Sequence, residues 1–490
     1  MAWILCHGRP EEVAIGYAAL EDFASGIDLR KSRVTAKAGG LRTLTNAFIN
    51  AGGEVEKRKK LATLQSLGVG TYGLAGVDNK LYVFGTLSPG SVSVTPPVYY
   101  QQLVPAPSLG LGVTIDRILD VDVFAATLYT VVRFTDGTVR HFYGSAQVAG
   151  QGTAARTFKT KVYAAEGANV RFSAVNAPND WAGTGSGLID VTAQDAGSAD
   201  IIGLENYYNY LALLGRRSIQ LWSMAADPAQ NQYIQTLSST GLFAPNGAAR
   251  YGNGDVLFLS DTGIRSIRAR DSSNAAVLND IGSPIDSLVI ARRLSMSQTD
   301  AERIRALTDP LSGHFWLIWG STVYVLAYYP ATKVTAWSTY ELGFTADYAA
   351  VAGNRIAIRT GDTIYLYGDA STPASALDNY TPLATNDAEY DDVEVVVETP
   401  MLDFKTPATS KLFSGIDVAC EGVWTIEACP DPLNPTVYDT IAVVDQSTYS
   451  LARIPYEATS THIALRATCQ SEGFARLGAM AVHYQGGEAE

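Results

Sequence analysis

The stretch TLYTVVRFTDGTVRHFYG, residues 127–144, indicates most clearly how this chain folds. Apolar and polar residues alternate on both sides of Asp136-Gly137, a dipeptide that favours the tight turn of a β-hairpin. Alternation with a period of two is typical of a strand that buries one of its faces. The stretch therefore predicts two antiparallel strands joined by a tight turn.

Five further stretches repeat this hairpin pattern, in which two apolar strands flank a turn that contains Gly, Asp or Ser. They are residues 71–86, 206–223, 255–269, 314–330 and 354–369. Six such units leave many strand edges that need a partner. A β-propeller, in which small sheets are arranged radially and pack on their neighbours, protects those edges economically. A stack of β-sandwiches is the alternative.

The domain organisation follows from a change in composition near residue 370. A chain of 490 residues is too long for one ordinary hydrophobic core, so several domains are expected. We assign residues 1–68 to an N-terminal hairpin and platform segment that joins the propeller, 69–370 to the propeller, 371–392 to a linker and 393–490 to a C-terminal β-sandwich. The predicted fold is all-β: a β-propeller with added small platform elements and a C-terminal β-sandwich.

One segment has the signals of a short helix. Thr299 and Glu302 are spaced as a capping box, and Pro310 marks the end of the segment. We therefore predict one helix near residues 300–307, as a connection between blades of the propeller.

The charge of the chain is acidic and unevenly distributed. The chain has 49 Asp and Glu against 36 Lys and Arg, and residues 369–490 alone contain 19 acids and 5 bases. Nucleic-acid binding usually needs a basic surface that displaces counterions, so the composition argues against general binding to DNA or RNA. An acidic wall would instead let DNA slide past without adhering.

No combination of residues predicts a catalytic, metal or cofactor site. Asp261-Thr262-Gly263 has the motif of an aspartic protease, but the sequence has no second copy, so a β-turn is the better interpretation. None of the histidines is paired at metal-ligand spacing; they are His7, His141, His314, His462 and His483. For the last four we expect strand positions with satisfied hydrogen bonds rather than roles as ligands or bases.

The cysteines and the N-terminus indicate the compartment in which the chain folds. The four cysteines, Cys6, Cys420, Cys429 and Cys469, lack the spacing of a zinc site or a disulfide framework, so we expect buried free thiols. The first residues contain a short apolar run without a basic segment before it, unlike a signal peptide. No stretch approaches the ~20 apolar residues of a membrane span. We therefore expect synthesis and folding in a cytoplasm.

A basic run stands out in this acidic chain, in the stretch INAGGEVEKRKKL, residues 49–61. Its glycine pair predicts a hairpin turn, and its alternation predicts that Val55 points inward on the return strand. That strand leads into four consecutive cations, Lys57 to Lys60. Taken alone, such a run next to acids is usually a solvated face.

The longer phrase FASGIDLRKSRVTAKAGGLRTLTNAFINAGGEVEKRKKLATL, residues 23–64, resembles the opening of tail nozzle proteins, the tail tubular protein B family, of short-tailed bacteriophages. The matching residues are Asp22-Phe23, Gly26, Asp28, Arg30-Lys31-Ser32, Leu41-Arg42, Asn46, Ile49-Asn50, Gly53-Glu54 and Lys57-Arg58. Residues 203–276, 314–341 and 398–418 are similar to later parts of the same proteins.

The resemblance implies a structural virion protein without enzymatic activity or cofactors. It implies a homo-hexameric ring at the tail tip, assembled in the host cytoplasm, that joins the tail adaptor ring and offers surfaces to tail fibres or spikes. Viral DNA would pass through the channel of the ring without specific binding, and contact with the bacterial cell surface is also conceivable. The chain is shorter than the best-known nozzle proteins, so the resemblance does not decide whether this chain itself closes the channel.

In that context the basic residues become candidates for assembly rather than for DNA binding. We expect them to dock against an acidic surface of a neighbouring subunit or of the adaptor. The candidates are Arg30, Lys31, Arg33, Arg42, Lys57, Arg58, Lys59 and Lys60.

Two other functions compete with the nozzle. The first is a receptor- or glycan-binding propeller module of the tail. The second is an enzyme such as a glycan depolymerase, which no sequence motif supports. Exposed tryptophans would serve the binding module; the candidates are Trp181, Trp222, Trp316, Trp319 and Trp337. Packing within the blades is the expected role of all but Trp181, because these lie in strong strand patterns.

Overall fold

A computed structural model of the chain describes residues 16–36, 38–194, 200–269, 280–368, 377, 389–449 and 454–486. The chain divides into two compact units. The first unit consists of residues 1–57, 329–336 and 392–490, and the second consists of residues 58–328 and 337–391. The predicted linker, residues 371–392, lies largely outside the described residues.

The first unit begins with four short strands. They are β1 (Gly16–Leu20), β2 (Thr43–Thr45), β3 (Ala47–Ile49) and β4 (Val55–Lys57). Strands β3 and β4 form an antiparallel hairpin in which Phe48 lies opposite Glu56. Val55 is fully buried, which confirms its predicted inward direction.

The second unit contains six small sheets. A further group of four consecutive strands is part of a larger sheet, and its residues 329–336 are counted with the first unit. The six sheets and this group are called blades 1 to 7 here. Strand β5 (Leu61–Ser66) precedes them in the chain. Blade 1 has β6 (Tyr72–Val77), β7 (Lys80–Gly85) and β8 (Val98–Gln102). Blade 2 has β9 (Ile115–Phe124), β10 (Thr127–Phe134), β11 (Val139–Tyr143) and β12 (Ala146–Val148). Blade 3 has β13 (Ala154–Phe158), β14 (Lys161–Glu166), β15 (Asn169–Phe172) and β16 (Gly187–Asp190).

The remaining blades follow in the same way. Blade 4 has β17 (Ile201–Tyr207), β18 (Tyr210–Gly215), β19 (Ser218–Ser223) and β20 (Gln232–Ser238). Blade 5 has β21 (Ala248–Tyr251), β22 (Asp255–Ser260) and β23 (Gly263–Ser266). Blade 6 has β24 (Arg305–Thr308), β25 (Phe315–Trp319), β26 (Thr322–Tyr329) and β27 (Val334–Glu341). Blade 7 has β28 (Tyr348–Ala352), β29 (Arg355–Thr360) and β30 (Thr363–Tyr367).

The blades form a closed ring. The first strand of each blade contacts the first strand of the next blade, and β28 of blade 7 contacts β6 of blade 1. Strand β5 pairs with β30 as the outermost strand of blade 7, with Ala62 opposite Leu366. A strand from before blade 1 therefore completes the last blade and ties the ring together. The unit is a β-propeller, as the sequence predicts.

The hydrophobic core of the propeller lies between neighbouring blades. Blades 3 and 4, for example, share a cluster that includes Tyr163, Leu211 and Trp222. Blades 7 and 1 share another that includes Ile364 and Val83. Each sheet thus buries its two faces against the sheets beside it, which removes the need for one large central core.

The six predicted hairpins lie in blades 1, 2, 4, 5, 6 and 7, one in each blade. Blade 3 escaped the sequence analysis. Its strands are short, and β13 and β14 contain two alanines each, a residue that strands disfavour. The ring therefore has one blade more than the number of hairpin signals.

The C-terminal part of the first unit has six strands. They are β31 (Val395–Glu398), β32 (Lys411–Cys429), β33 (Asp439–Gln446), β34 (Ile454–Ser460), β35 (Ala464–Cys469) and β36 (Arg476–Gly486). The long strand β32 pairs with β34 and β36 along its first half and with β33 and β35 along its second half. Two sets of strands thus share β32, which agrees with the sandwich that the sequence predicts.

The N-terminal segment differs from its predicted place in the propeller. Strand β2 pairs with β31, and β1 and β4 pair with β36, so the described residues up to Lys57 belong with the C-terminal strands. Only residues 58–68 belong to the propeller unit. The reason is that strands β1, β2 and β4 find their pairing partners at the far end of the chain, which local patterns cannot show.

The helix predicted at residues 300–307 is wrong in its extent. The structure has α1 (Asp286–Leu294) and a short α2 (Gln298–Ala301), and the following residues form β24. Ser297, not Thr299, caps α2, since its side chain accepts a hydrogen bond from the backbone N–H of Asp300 at 3.3 Å. Pairing of β24 with β25 overrides the local preference for a helix.

Four short 3-10 helices lie among the described residues, at Pro89–Ser91, Thr192–Gln194, Pro228–Gln230 and Ser283–Ile285. Among the described residues, none of the helices has the length and apolar character needed to cross a membrane.

Candidate functional site

The turn before the basic run is held by Asn50. The side-chain oxygen of Asn50 accepts hydrogen bonds from the backbone N–H groups of Gly52 at 2.9 Å and Glu54 at 3.1 Å. Gly53 has a φ of 83°, a left-handed conformation that glycine adopts without strain. This turn sets the register of β3 and β4 and so decides which cations of the run point inward.

Lys57 and Arg58 are buried, although they belong to the basic run. The Lys57 ammonium donates to the carbonyl oxygen of Ser471 and is fully withdrawn from solvent. The Arg58 guanidinium is 3% exposed and forms an ion pair with Asp391 at 3.1 Å. In this conformation neither side chain is available on the surface for docking to a partner.

Lys59 and Lys60 lie nearer to the surface of the propeller unit. Lys59 is 42% exposed and forms an ion pair with Glu389. The backbone N–H of Lys60 donates to the carbonyl of Glu389 at 3.0 Å, and the carbonyl of Lys60 accepts from Gly368 at 3.0 Å. These bonds hold the start of β5 beside the end of blade 7.

The four arginine and lysine candidates near residue 30 have several partners in the first unit. Arg30 binds the carboxylate of Asp28 through two nitrogens, at 2.7 and 2.9 Å. Arg33 forms an ion pair with Glu398. Arg42 donates to the backbone carbonyl of Lys31 at 2.8 Å.

Arg30 and Lys31 remain accessible despite these contacts. Arg30 is 49% exposed, and the side chain of Lys31 is also exposed. Both line a concavity of about 550 Å³ together with Ser25, Asp28 and small residues. The predicted docking role therefore concentrates on Arg30 and Lys31 in the first unit, and on Lys59 in the second.

The propeller axis is a second candidate, which the sequence analysis missed. A cavity of about 410 Å³ lies at the axis and is lined by the first strands of all seven blades. Its charged lining residues are Asp120, Asp122, Arg156, Glu205, Arg250 and Arg305. Glu205 is buried, Arg250 is exposed, and the other four are half-buried, so acidic and basic groups both line the axis of this propeller.

The acids on blades 2 to 4 are well provided with partners. Arg156 donates to the carboxylate of Glu205 at 2.7 Å and lies 3.9 Å from that of Asp122. Asp120 accepts hydrogen bonds from the backbone N–H groups of Val121 and Ala155, both at 2.9 Å. This side of the cavity is a closed network of charges and amides.

Burial still affects the protonation of these acids. Loss of water raises the pKa of Glu205 to about 7, and the opposing attraction of Arg156 does not restore the ordinary value. Burial likewise raises the pKa of Asp120. Glu205 is therefore the group at the axis that changes its charge near neutral pH.

Blades 6 and 7 present a different arrangement around Tyr348. The guanidinium groups of Arg117 and Arg305 lie 4.7 and 5.4 Å from the centre of the Tyr348 ring. The acid nearby, Glu302, binds Arg133 through two hydrogen bonds of 2.8 Å each and lies 4.0 Å from Arg117. Of the two cations at Tyr348, only Arg117 approaches this carboxylate, which is already bound to Arg133.

Arg305 is the least satisfied of these cations. Its Nη1 donates to the backbone carbonyls of Glu302 at 3.0 Å and Ile304 at 3.1 Å. No carboxylate of a described residue lies within ion-pairing distance of Arg305. Burial, and repulsion from Arg117, lower the pKa of Arg305 to about 10, so it stays charged at neutral pH.

The other sequence interpretations have clear outcomes. His141 and His483 lie in strands as predicted, and buried His141 bonds to the Tyr129 hydroxyl and the Gly152 carbonyl. The predicted strand positions of His314 and His462 are wrong, because both lie just before a strand. Asp261 lies in the turn between β22 and β23, as predicted. Among the described residues, no group of three or more His, Cys, Asp or Glu is placed to hold a metal ion.

The tryptophans pack within the propeller. Trp222, Trp316, Trp319 and Trp337 are all less than 9% exposed, which confirms their predicted packing role. Trp181 is half-buried and contacts Tyr129 and His141. A glycan site built on these five rings is therefore limited to Trp181.

Comparison with known proteins adds little to this description. No family model matches the chain, and no curated protein matches it either. Among solved structures, the chain is similar to the WD40 domain of Neurospora crassa Pan2, with 9% sequence identity and a TM-score of 0.36. The similarity covers 63% of this chain and 91% of that domain. The pairing of strands within the second unit itself is what establishes the propeller.

Proposed function

We propose that this protein is a structural subunit of a phage tail nozzle, a ring at the distal end of the DNA-ejection channel that offers surfaces to tail fibres or spikes. The observation that supports the proposal most is the phrase at residues 22–58, which resembles the opening of nozzle proteins. In this chain all the matching residues except Arg58 belong to the first unit.

The roles of the matching residues are architectural. Phe23 is 1% exposed, and Asn46 adopts a left-handed conformation with φ of 56° while its amide donates to the Glu394 carbonyl at 2.8 Å. Gly26 also has a positive φ, of 54°, and Asn50 holds the hairpin turn. A phrase of this kind encodes a structural element, which fits a protein whose task is assembly.

The charge distribution supports a passive channel. Residues 369–490 contain 19 acids and 5 bases, and most of them belong to the first unit. If this surface faces the channel of a ring, it repels the phosphates of DNA and keeps the genome from adhering.

Electron microscopy of the purified full chain tests the proposal. The expected result is six-fold rings, formed alone or after mixing with the adaptor ring of the same tail. Monodisperse monomers that never join a tail under either condition would contradict the nozzle assignment.

Charge reversal at the accessible basic pair tests the docking surface. The double variant Arg30→Glu, Lys31→Glu should weaken ring or tail assembly, most strongly at low salt, because added ions screen the attraction. Lys405→Glu, an exposed position of the same unit, is the matched control and should assemble normally. If assembly is unchanged while binding of duplex DNA disappears, the basic residues serve DNA instead.

A receptor- or glycan-binding propeller module is the alternative function. Among the described residues of the blades, the exposed aromatic rings available to it are Tyr208 and Tyr233 of blade 4, 44% and 40% exposed, and Tyr328 of β26, 45% exposed. A glycan-array signal from a monomeric protein would favour this alternative over the nozzle.

A further inference from the structure

We infer that the axial cavity of the propeller binds a small molecule through an oxyanion, a carboxylate or phosphate group that pairs with Arg305. This role is separate from assembly into a ring. It follows from the way in which charges are distributed around the cavity.

The cavity has the size of a ligand site. Its volume of about 410 Å³ is within the range of pockets that hold small molecules. The strands that line it belong to seven different blades, and their backbones are fixed by sheet pairing. A site built on such strands is preorganised, so binding costs little conformational entropy.

The acids on one side of the cavity already have partners within the protein and do not need a cationic ligand. Glu205 and Asp122 face Arg156, and Asp120 accepts from two backbone N–H groups. These groups are already neutralised or hydrogen-bonded within the protein. A cationic ligand would therefore gain few new partners there.

Arg305 on the opposite side, in contrast, has hydrogen-bond donors without partners among the described residues. Its Nη1 is used by two carbonyls, whereas its Nε and Nη2 have no hydrogen-bond partner among the described residues. The Tyr348 ring, whose centre lies 5.4 Å from its guanidinium, helps to hold it in place. Arg305 is half-buried, and its Nε and Nη2 are not among the buried unpaired atoms of the described residues, so they remain open to the cavity, where an oxyanion can accept from both.

The test is calorimetric titration of the full chain with two probes, inorganic phosphate and acetate, at low chloride. The expected result is binding of at least one probe with one site per chain. Arg305→Gln should weaken that binding at least tenfold, since it removes the charge and the forked donors. Arg217→Gln, an exposed arginine in the turn between β18 and β19, should bind like the wild type.

A second readout separates binding from a structural role. The same probe should raise the melting temperature of the wild type and of Arg217→Gln but not that of Arg305→Gln. If Arg305→Gln does not fold, Arg305→Lys replaces it, and its loss of the planar fork should still weaken binding severalfold. Absence of binding by the wild type to either probe, or undiminished binding by the Arg305 variants, would overturn the inference.

Discussion

Buried cations occur in two regions of this molecule, and the two regions treat them differently. In the basic run, Lys57 donates to the Ser471 carbonyl and Arg58 pairs with Asp391, so both are satisfied within the chain. At the propeller axis, Arg305 is half-buried and lacks a carboxylate partner among the described residues. Two cations of the basic run therefore stabilise the fold, whereas Arg305, which no sequence pattern singles out, has donors left with which to bind an oxyanion.

The largest expected effect comes from removing a satisfied buried cation. Arg58→Ala should lower the free energy of unfolding of the propeller unit by about 3 kcal/mol, because it removes a buried guanidinium that pairs with Asp391 and donates to the carbonyls of Lys59 and Glu341. Urea denaturation measures the loss. Lys31→Ala, at an exposed position, should change stability by less than ~0.5 kcal/mol. Equal effects of the two substitutions would remove the distinction between buried and exposed cations of the basic segment.

A smaller effect is expected from the acid at the axis. The pKa of Glu205 is raised from 4.5 in the unfolded chain to about 7, so its contribution to stability is present below pH 4.5 and is lost as the pH rises through 7. From pH 5 to pH 8 the wild type should lose about 2.5 kcal/mol relative to Glu205→Gln. Urea denaturation at several pH values measures the free energy of unfolding of both proteins. If this free energy changes equally with pH in the two proteins, Glu205 does not titrate near pH 7.

The smallest of these effects concerns Glu302, which binds Arg133 near the surface. The two side chains are 23% and 29% exposed, so water and salt weaken their attraction. Glu302→Gln should cost about 1 kcal/mol at low salt and less in ~1 M salt, where the Debye length is short. Thermal melts at both salt concentrations measure it, and a loss that ignores salt would indicate that packing rather than charge is involved.

The fold was more accessible to sequence reasoning than the site. Hairpins such as residues 127–144 can be predicted because turn and strand patterns are local. The number of hairpins then predicts the propeller. Blade 3 was missed because Ala154, Ala155, Ala164 and Ala165 do not read as strand residues. Pairing across the sheet, not local preference, places them in β13 and β14.

The site depends on contacts between distant parts of the chain. The partners of Lys57 and Arg58 lie 414 and 333 positions away, so the interpretation of the run as a solvated face could not be corrected from the sequence. Asp120 and Asp122 do share one face of β9 by their spacing. Their meeting with Arg156 and Glu205, however, requires the closed ring of blades.

The pairing of β1, β2 and β4 with β31 and β36 also has a consequence for synthesis on the ribosome. These N-terminal strands are made before residues 58–391, which the ribosome must translate before their partners emerge. At roughly 5–20 residues per second, the delay is roughly 15 to 70 s. During that interval the propeller can close, but the N-terminal strands still lack their C-terminal pairing partners. Their unpaired edges can associate with other chains until translation ends.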